Sequence, residues 1–161
     1  MKHRIKIFLY ILLSLLLMVM IFCFSSQDAE QSRNLSDGLS AKLMEFLAQI
    51  SPLAVRFLRN GENIRTLAHL IEYTCLGASY MLLLHELFMS RPGSLKLCCI
   101  FAVDAGLVYA LSDEVHQIFV PGRAFQISDI AVDLIGCIIG SAAAALIIKL
   151  IKKTGASFNE H

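Results

Sequence analysis

The chain has 161 residues and is 57% hydrophobic but only 17% charged, with no Trp and three Pro, whereas soluble domains carry about 25% charged residues. This is the composition of a membrane protein. A net charge of +1 supplies no basic patch or stripe of the kind nucleic acid requires, so no nucleic-acid partner is expected. The five cysteines, Cys23, Cys75, Cys98, Cys99 and Cys137, fall in apolar stretches with no C-x-x-C spacing, which suggests neither a disulfide framework nor a zinc site.

Residues 5–24 hold no charge beyond Lys6 at their start and are otherwise interrupted only by Ser14 and Cys23; about twenty mostly apolar residues at the helical rise cross the hydrocarbon core. A cleaved signal peptide would have a shorter apolar run ending in small residues, but Phe22, Cys23 and Phe24 occupy the exit, so the segment is expected to stay attached as the first span. Ser25, Ser26, Gln27 and Asp28 form a polar exit. In the stretch that follows, Leu35, Leu39, Leu43, Phe46, Ile50, Leu53 and Phe57 recur every three or four residues, drawing an apolar stripe on a helix. Ser36 is expected to cap a helix there, and Ser51-Pro52 to break it and start another. One or two helices lying in the membrane interface are expected within residues 28–63.

The second span is expected over residues 67–89, stopped by Arg91-Pro92-Gly93, and the third over residues 95–111. The third is short and contains Asp104, although the polar residues that follow could extend it. The fourth, residues 127–151, opens on Ser128-Asp129, passes Asp133, Gly136 and Gly140, and ends in Lys149, Lys152 and Lys153; small residues at this spacing permit close helix approach. No internal repeat is visible. The expected fold is therefore all-α, a single-domain multi-pass bundle of four transmembrane helices with one or two extracytoplasmic interfacial helices. Lys2, Arg4, Lys6, Arg91, Lys96 and the C-terminal lysines would share one side, which the positive-inside rule makes cytoplasmic, with both termini there.

Two polar knots then reach the opposite interface. Arg65, His69, Glu72 and Tyr73 head the second span; Ser112 to Arg123 reads Ser-Asp-Glu-Val-His-Gln-Ile-Phe-Val-Pro-Gly-Arg. Residues three and four apart share a helix face, so His69, Glu72 and Tyr73 project together, as do Asp113, His116 and Gln117, and as do Asp129 and Asp133, with Glu114 turned aside. Ser112 is expected to cap the following helix, and Pro121-Gly122 to make a turn. A His beside a carboxylate suits general acid or base work, which makes His69, His116, Glu72, Asp113 and Glu114 the catalytic candidates. Arg65 and Arg123 could fork onto a phosphate, with Tyr73, Gln117, Asp129, Asp133, Ser25 and Gln27 as further substrate contacts. Glu72, Glu114, Asp129 and Asp133 are the oxygen ligands that a divalent metal such as Mg²⁺ would use, though no spacing matches a metal signature. Against all of this stands a plainer account, in which ionisable residues pair only to make a bundle specific; Asp104 and His85-Glu86 are read that way.

These residues carry a resemblance. Phe24 to Gln27, the Arg-x-x-Ala-His-x-x-Glu-Tyr-x-x-Leu-Gly run from Arg65 to Gly77, the Ser112 to Arg123 run and the continuation from Asp129 to Gly136 resemble the VanZ-like family of bacterial membrane proteins. The resemblance spans nearly the whole chain, and Ser112 to Arg123 is its most specific part. It implies a small multi-pass protein of the bacterial cytoplasmic membrane, in a family whose namesake is associated with resistance to the lipoglycopeptide teicoplanin. It also implies kinship with membrane enzymes that process phospholipid or lipid-linked cell-wall headgroups, with His69, Glu72, Asp113, Glu114, His116, Gln117, Arg123 and Asp129 lining the site. Thr66 stands where the family usually has Lys, and Asp133 where Asn is common. The expected function is binding or modification of a phosphate-containing lipid or lipid-linked precursor at the outer leaflet. The alternative is a non-catalytic protein that binds precursor or antibiotic and limits access to cell-surface targets.

Overall fold

The computed structural model describes residues 2–47, 61–88 and 94–158. Five helices account for almost all of them: α1 (Lys2–Ser25), α2 (Ala29–Leu47), α3 (Gly61–Phe88), α4 (Ser94–Gln117) and α5 (Ile127–Phe158). No strand occurs among the described residues. Four helices contain stretches long and apolar enough to cross a membrane, His3–Ser25, Asn63–Phe88, Leu95–Gln117 and Ile127–Thr154, which match the four spans expected. The proposed break at Ser51-Pro52, the stripe residues Ile50, Leu53 and Phe57, and the stop at Arg91-Pro92-Gly93 lie outside the described residues.

Two expected helix starts move. The helix expected to begin at Ser36 begins seven residues earlier, because Asp28 Oδ1 accepts the backbone N–H of Gln31 at 2.7 Å, and Asp-x-x-Gln is a capping-box pattern. Ser112 caps nothing: it lies inside α4, where its hydroxyl donates to the Tyr109 carbonyl at 2.7 Å. The third span therefore runs through the polar motif to Gln117 instead of ending at Leu111.

α3 is the hub and touches each of the other four helices, most extensively α5. The reason is steric. A Cβ built on Gly136 would come within 2.8 Å of the Leu70 carbonyl oxygen, and one on Gly140 would run into the Thr74 carbonyl, so the two backbones lie in near contact. With no hydrophobic effect between helices in lipid, such packing is a main source of cohesion. Gly140→Leu is expected to force α3 and α5 apart and cost about 1–3 kcal/mol or more, read as a lowered unfolding temperature of the detergent-solubilised protein; an unchanged transition would mean that the two helices are not held at this contact.

Above and below the glycines lie two small cores. One gathers Ile21, Tyr73, Leu76, Ala110 and Cys137, the other Met81, Cys98, Ala102, Ala144 and Ile148. α1 has a mostly lipid-facing surface and is held by polar contacts that hydrocarbon strengthens. Ser14 and Ser79 share a buried hydrogen bond of 3.1 Å, and Tyr109 donates to the Met18 carbonyl at 2.5 Å. At the end carrying both termini, Glu86 meets His3 at 2.9 Å and Lys6 at 3.4 Å. These contacts set α1 upright against α3 and α4 and deliver Ser25 to the opposite end.

Candidate functional site

At that opposite end α1 stops, α3 starts, α4 stops and α5 starts, so the polar residues of four helices arrive together. α5 supplies two carboxylates, one per turn. Asp129 Oδ2 accepts from Arg65 Nη2 at 2.7 Å, and Asp133 Oδ1 lies 3.1 Å from His69 Nδ1. Both pairs join α3 to α5. With Asp133 ionised, the second contact places a proton on Nδ1, leaving a lone pair on Nε2 of a neutral ring.

α4 supplies the next set. Asp113, Glu114 and Gln117 are all buried. Asp113 Oδ2 accepts from Ser25 Oγ at 2.7 Å and from Gln117 Nε2 at 3.3 Å. Gln117 Oε1 in turn accepts from Arg123 Nη1 at 3.4 Å, while Arg123 Nε donates to the Gln27 carbonyl at 3.2 Å. Glu114 Oε2 accepts the Gln126 backbone N–H at 2.8 Å and so fastens the start of α5. The loop between α4 and α5 folds back because Val120 to Arg123 form a tight turn: the Arg123 N–H reaches the Val120 carbonyl at 3.1 Å across Pro121 and Gly122. Gly122 has φ of 73°, the left-handed conformation that the position after Pro needs in a type II turn and that glycine adopts freely.

A cavity of about 390 Å³ opens over this framework. Ser25, Gln27, Arg65, His69, Glu72 and Arg123 line its polar part, and Phe24, Leu35, Leu39, Ile64, Leu67 and Ile71 are among its apolar wall. A second cavity of about 310 Å³, lined by Thr66, Gln126, Ser128, Asp129 and Val132, shares Arg65 and His69 with the first. The two side chains stand between the chambers. Burial lowers the pKa of Arg123 from its usual value, and the nearby Arg65 charge lowers it further against the pull of Asp113, Asp129 and Glu114. Two guanidiniums thus face one cavity within electrostatic reach of each other.

The expected site residues consequently fall into two layers. Ser25, Gln27, Arg65, His69, Glu72 and Arg123 face the first cavity and Asp129 the second. Asp113, Glu114, Gln117 and Asp133 line neither and hold those that do. Glu72 lies within electrostatic reach of His69, Asp133 and Asp113. Tyr73 is buried, with its ring centroid 6.2 Å from that of Tyr109. His116 is set apart. It is half-buried, lines neither cavity, stacks on Phe22 at 4.5 Å between centroids, and has Nε2 3.1 Å from Ser26 Oγ. The helix face that carries Asp113 and Gln117 inward is completed by Glu114, not by His116.

Several buried polar atoms have no protein hydrogen-bond partner: Tyr73 Oη, Asp113 Oδ1, Glu114 Oε1 and Asp133 Oδ2. Stable folds tolerate few such atoms, and their concentration beneath a cavity points to a region shaped by function more than by stability. As for a divalent ion, among the described residues no three His, Cys, Asp or Glu side chains converge in ligating geometry. Glu72, Glu114, Asp129 and Asp133 do not form a common ligand set here: Arg65, the Gln126 N–H and His69 engage three of them separately.

The wall residues Ile64, Leu67 and Ile71 were not marked by any motif. Only their position beside Arg65, His69 and Glu72, on the same turns of α3, could have suggested them.

The VanZ/LLP1 family model matches residues 9–149. The chain belongs to the VanZ/LLP1 family. No curated protein and no solved structure matches it significantly. Membership makes this a multi-pass membrane protein of a family associated with teicoplanin resistance. The match takes in every residue of both layers, from Ser25 to Asp133. Of the two positions at which the resemblance implies a departure from the family's usual residue, Thr66 lines the second cavity and Asp133 is the carboxylate against His69.

Proposed function

We propose that this protein binds a phosphate-bearing lipid, a phospholipid or lipid-linked cell-wall precursor, with the headgroup among Arg65, His69 and Arg123 and a hydrocarbon chain along the Leu35, Leu39, Ile64 and Ile71 wall. The observation that carries this reading is the shape of one cavity: two guanidiniums and an imidazole at one side, an aliphatic wall at the other. A phosphate between the guanidiniums removes their mutual repulsion and satisfies forked donors, while the wall shields the acyl or prenyl chain. Ser25 and Gln27 border the polar end, which suits glycerol or sugar hydroxyls.

Headgroup hydrolysis or transfer is the reaction this arrangement would serve. His69 would accept the proton of an incoming hydroxyl at Nε2 as its oxygen bonds to phosphorus, and return it to the leaving oxygen as the old P–O bond breaks. Asp133 would steady the transient imidazolium. Glu72 is the carboxyl that lines the same chamber. We place the protein in the bacterial cytoplasmic membrane with both termini inside, since Arg4, Lys6, Lys149, Lys152 and Lys153 gather at the terminal end and the positive-inside rule assigns that end to the cytoplasm. The cavity then opens at the outer leaflet.

The test is binding by the full chain in nanodiscs to three probes: phosphatidylglycerol, undecaprenyl phosphate and diacylglycerol, read by native mass spectrometry. Retention of either phosphate lipid at least ten times above diacylglycerol is expected. Equal retention of all three lipids, or retention only of teicoplanin when it is added as a fourth ligand, overturns the proposal in favour of a protein that limits antibiotic access without handling lipid phosphate.

A further inference from the structure

The two cavities open on different media. Four of the apolar residues lining the first, Phe24, Leu35, Leu39 and Ile71, are also exposed on the outside of the bundle, so that chamber is reached from hydrocarbon. The second lies where α3 and α5 begin, and Thr66, Gln126 and Ser128 are its exposed polar residues, at the ends of the spans. It is reached from water. Arg65 and His69 line both, so a group gripped by these two side chains has one flank toward lipid and the other toward the aqueous side.

We infer that the second cavity holds the polar alcohol esterified to the bound lipid phosphate, and that this headgroup is neutral and rich in hydroxyls, of the glycerol or sugar class. The inference rests on the phosphate-lipid reading and narrows it to phosphodiesters. When two guanidiniums hold the unesterified oxygens of a phosphodiester, tetrahedral geometry at phosphorus turns its two ester oxygens away from them. One ester carries the hydrocarbon part along the aliphatic wall. The other leaves by a different route, and the cavity across Arg65 and His69 adjoins both grips. Its volume, about 310 Å³, is roughly ten times the share of liquid volume that one water takes, so an organic group fits. The lining sets the chemical class. Asp129 is its only carboxylate among the described residues and is already paired with Arg65 at 2.7 Å, so an ammonium headgroup finds no unpaired countercharge and an anionic one meets that carboxylate. Ser128 Oγ donates to Asp129 Oδ1 at 3.3 Å, which leaves its lone pairs to accept from a ligand hydroxyl, and the Gln126 side-chain amide can both donate and accept. Ser25 and Gln27, in the first chamber, are left to the glycerol backbone on the lipid side.

The experiment compares retention of four lipids with matched acyl chains by the full chain in nanodiscs: phosphatidylglycerol, phosphatidylmethanol, phosphatidylethanolamine and diacylglycerol. The first two carry the same charge and the same phosphodiester and differ only in headgroup hydroxyls. Phosphatidylglycerol is expected to be retained about ten times better than phosphatidylmethanol, the scale of one or two neutral hydrogen bonds, and better than phosphatidylethanolamine. Ser128→Phe and Val132→Phe, which share a face of α5 one turn apart, each fill the second cavity from its wall. Either should lower phosphatidylglycerol to the level of phosphatidylmethanol and leave phosphatidylmethanol within two-fold of the parent chain. Equal retention of phosphatidylglycerol and phosphatidylmethanol, both above diacylglycerol, overturns this inference and leaves the phosphate-lipid reading standing; retention of neither above diacylglycerol overturns both. A preference for phosphatidylethanolamine overturns the neutral class. With thermal unfolding matched to the parent chain as the folding control, a glycerol preference that survives either Phe variant, or an equal fall in both lipids, overturns the placement of the headgroup in the second cavity.

Discussion

Replacing Arg65 and Arg123 together by Gln is expected to weaken binding of a phosphate lipid by about 10²–10⁴-fold. Each charge-assisted hydrogen bond is worth about 1.5–3 kcal/mol, and every 1.4 kcal/mol is about a factor of ten in affinity. The single exchanges should differ in character. Arg65→Gln also strips Asp129 of the 2.7 Å partner that ties α3 to α5, so it should lower stability as well as affinity. Arg123→Gln gives up contacts only to Gln117 and the Gln27 carbonyl, at 3.4 and 3.2 Å, and should act mainly on affinity. Lys at either position keeps the charge but not the fork, so it should recover part of the binding. Native mass spectrometry with phosphatidylglycerol, alongside thermal unfolding, reads both effects. Undiminished phosphate-lipid binding by the double variant would remove the guanidiniums from the site.

Which parts of this arrangement were legible beforehand follows from what each signal measures. The spans were legible because hydropathy over about twenty residues reports on lipid directly. The end of α4 was not, because Ser112, Asp113, Glu114, His116 and Gln117 depress hydropathy although three of them are buried against partners. Helix periodicity placed Asp113 and Gln117 together but could not choose the arc that faces inward. At about 100° per residue, Asp113 and Gln117 can share an arc with either His116 or Glu114, and the contacts to Ser25 and Gln126 decide for Glu114. The true start of α2 is readable in the Asp28 to Gln31 spacing, a capping pattern that competes with Ser36. The pairing of Arg65 with Asp129 and of His69 with Asp133 joins residues 64 apart in the chain. Each helix showed a charged face, but only packing, with Gly136 and Gly140 letting α5 slide close to α3, fixes the register that matches them.

That register also explains why so many ionisable residues can share a membrane end without a metal signature. Asp129 and Asp133 neutralise or orient groups of α3, Asp113 holds Ser25 and Gln117, and Glu114 clamps a backbone N–H. Four carboxylates thus act as supports, and the chemistry left to the cavity reduces to His69, Glu72 and two guanidiniums. The motif from Ser112 to Arg123 is dense in polar residues largely because it positions its neighbours, sending only Arg123 into the chamber.

His69 and Asp133 therefore carry the sharpest expectation about reaction as distinct from binding. His69→Gln should lower headgroup turnover by about 10²–10⁴-fold, the usual range for loss of a general acid or base, while leaving phosphate-lipid retention within a few-fold, because both arginines remain. Asp133→Asn tests the same step through the ring's orientation. The amide oxygen can still accept from Nδ1, so the ring can keep its place, but a neutral amide cannot steady an imidazolium, and turnover should fall with little change in apparent affinity. Asp133→Leu goes further and strips buried His69 of its partner; breaking such a buried pair costs about 3–5 kcal/mol, which should appear as lost stability. Turnover is measured by release of the phosphorylated headgroup from radiolabelled lipid in proteoliposomes. If His69→Gln and Asp133→Asn turn over substrate like the parent chain, His69 is not the proton carrier; if all three proteins bind phosphate lipid and none releases headgroup, the cavity is a binding site and its carboxylates serve only to hold two guanidiniums in place.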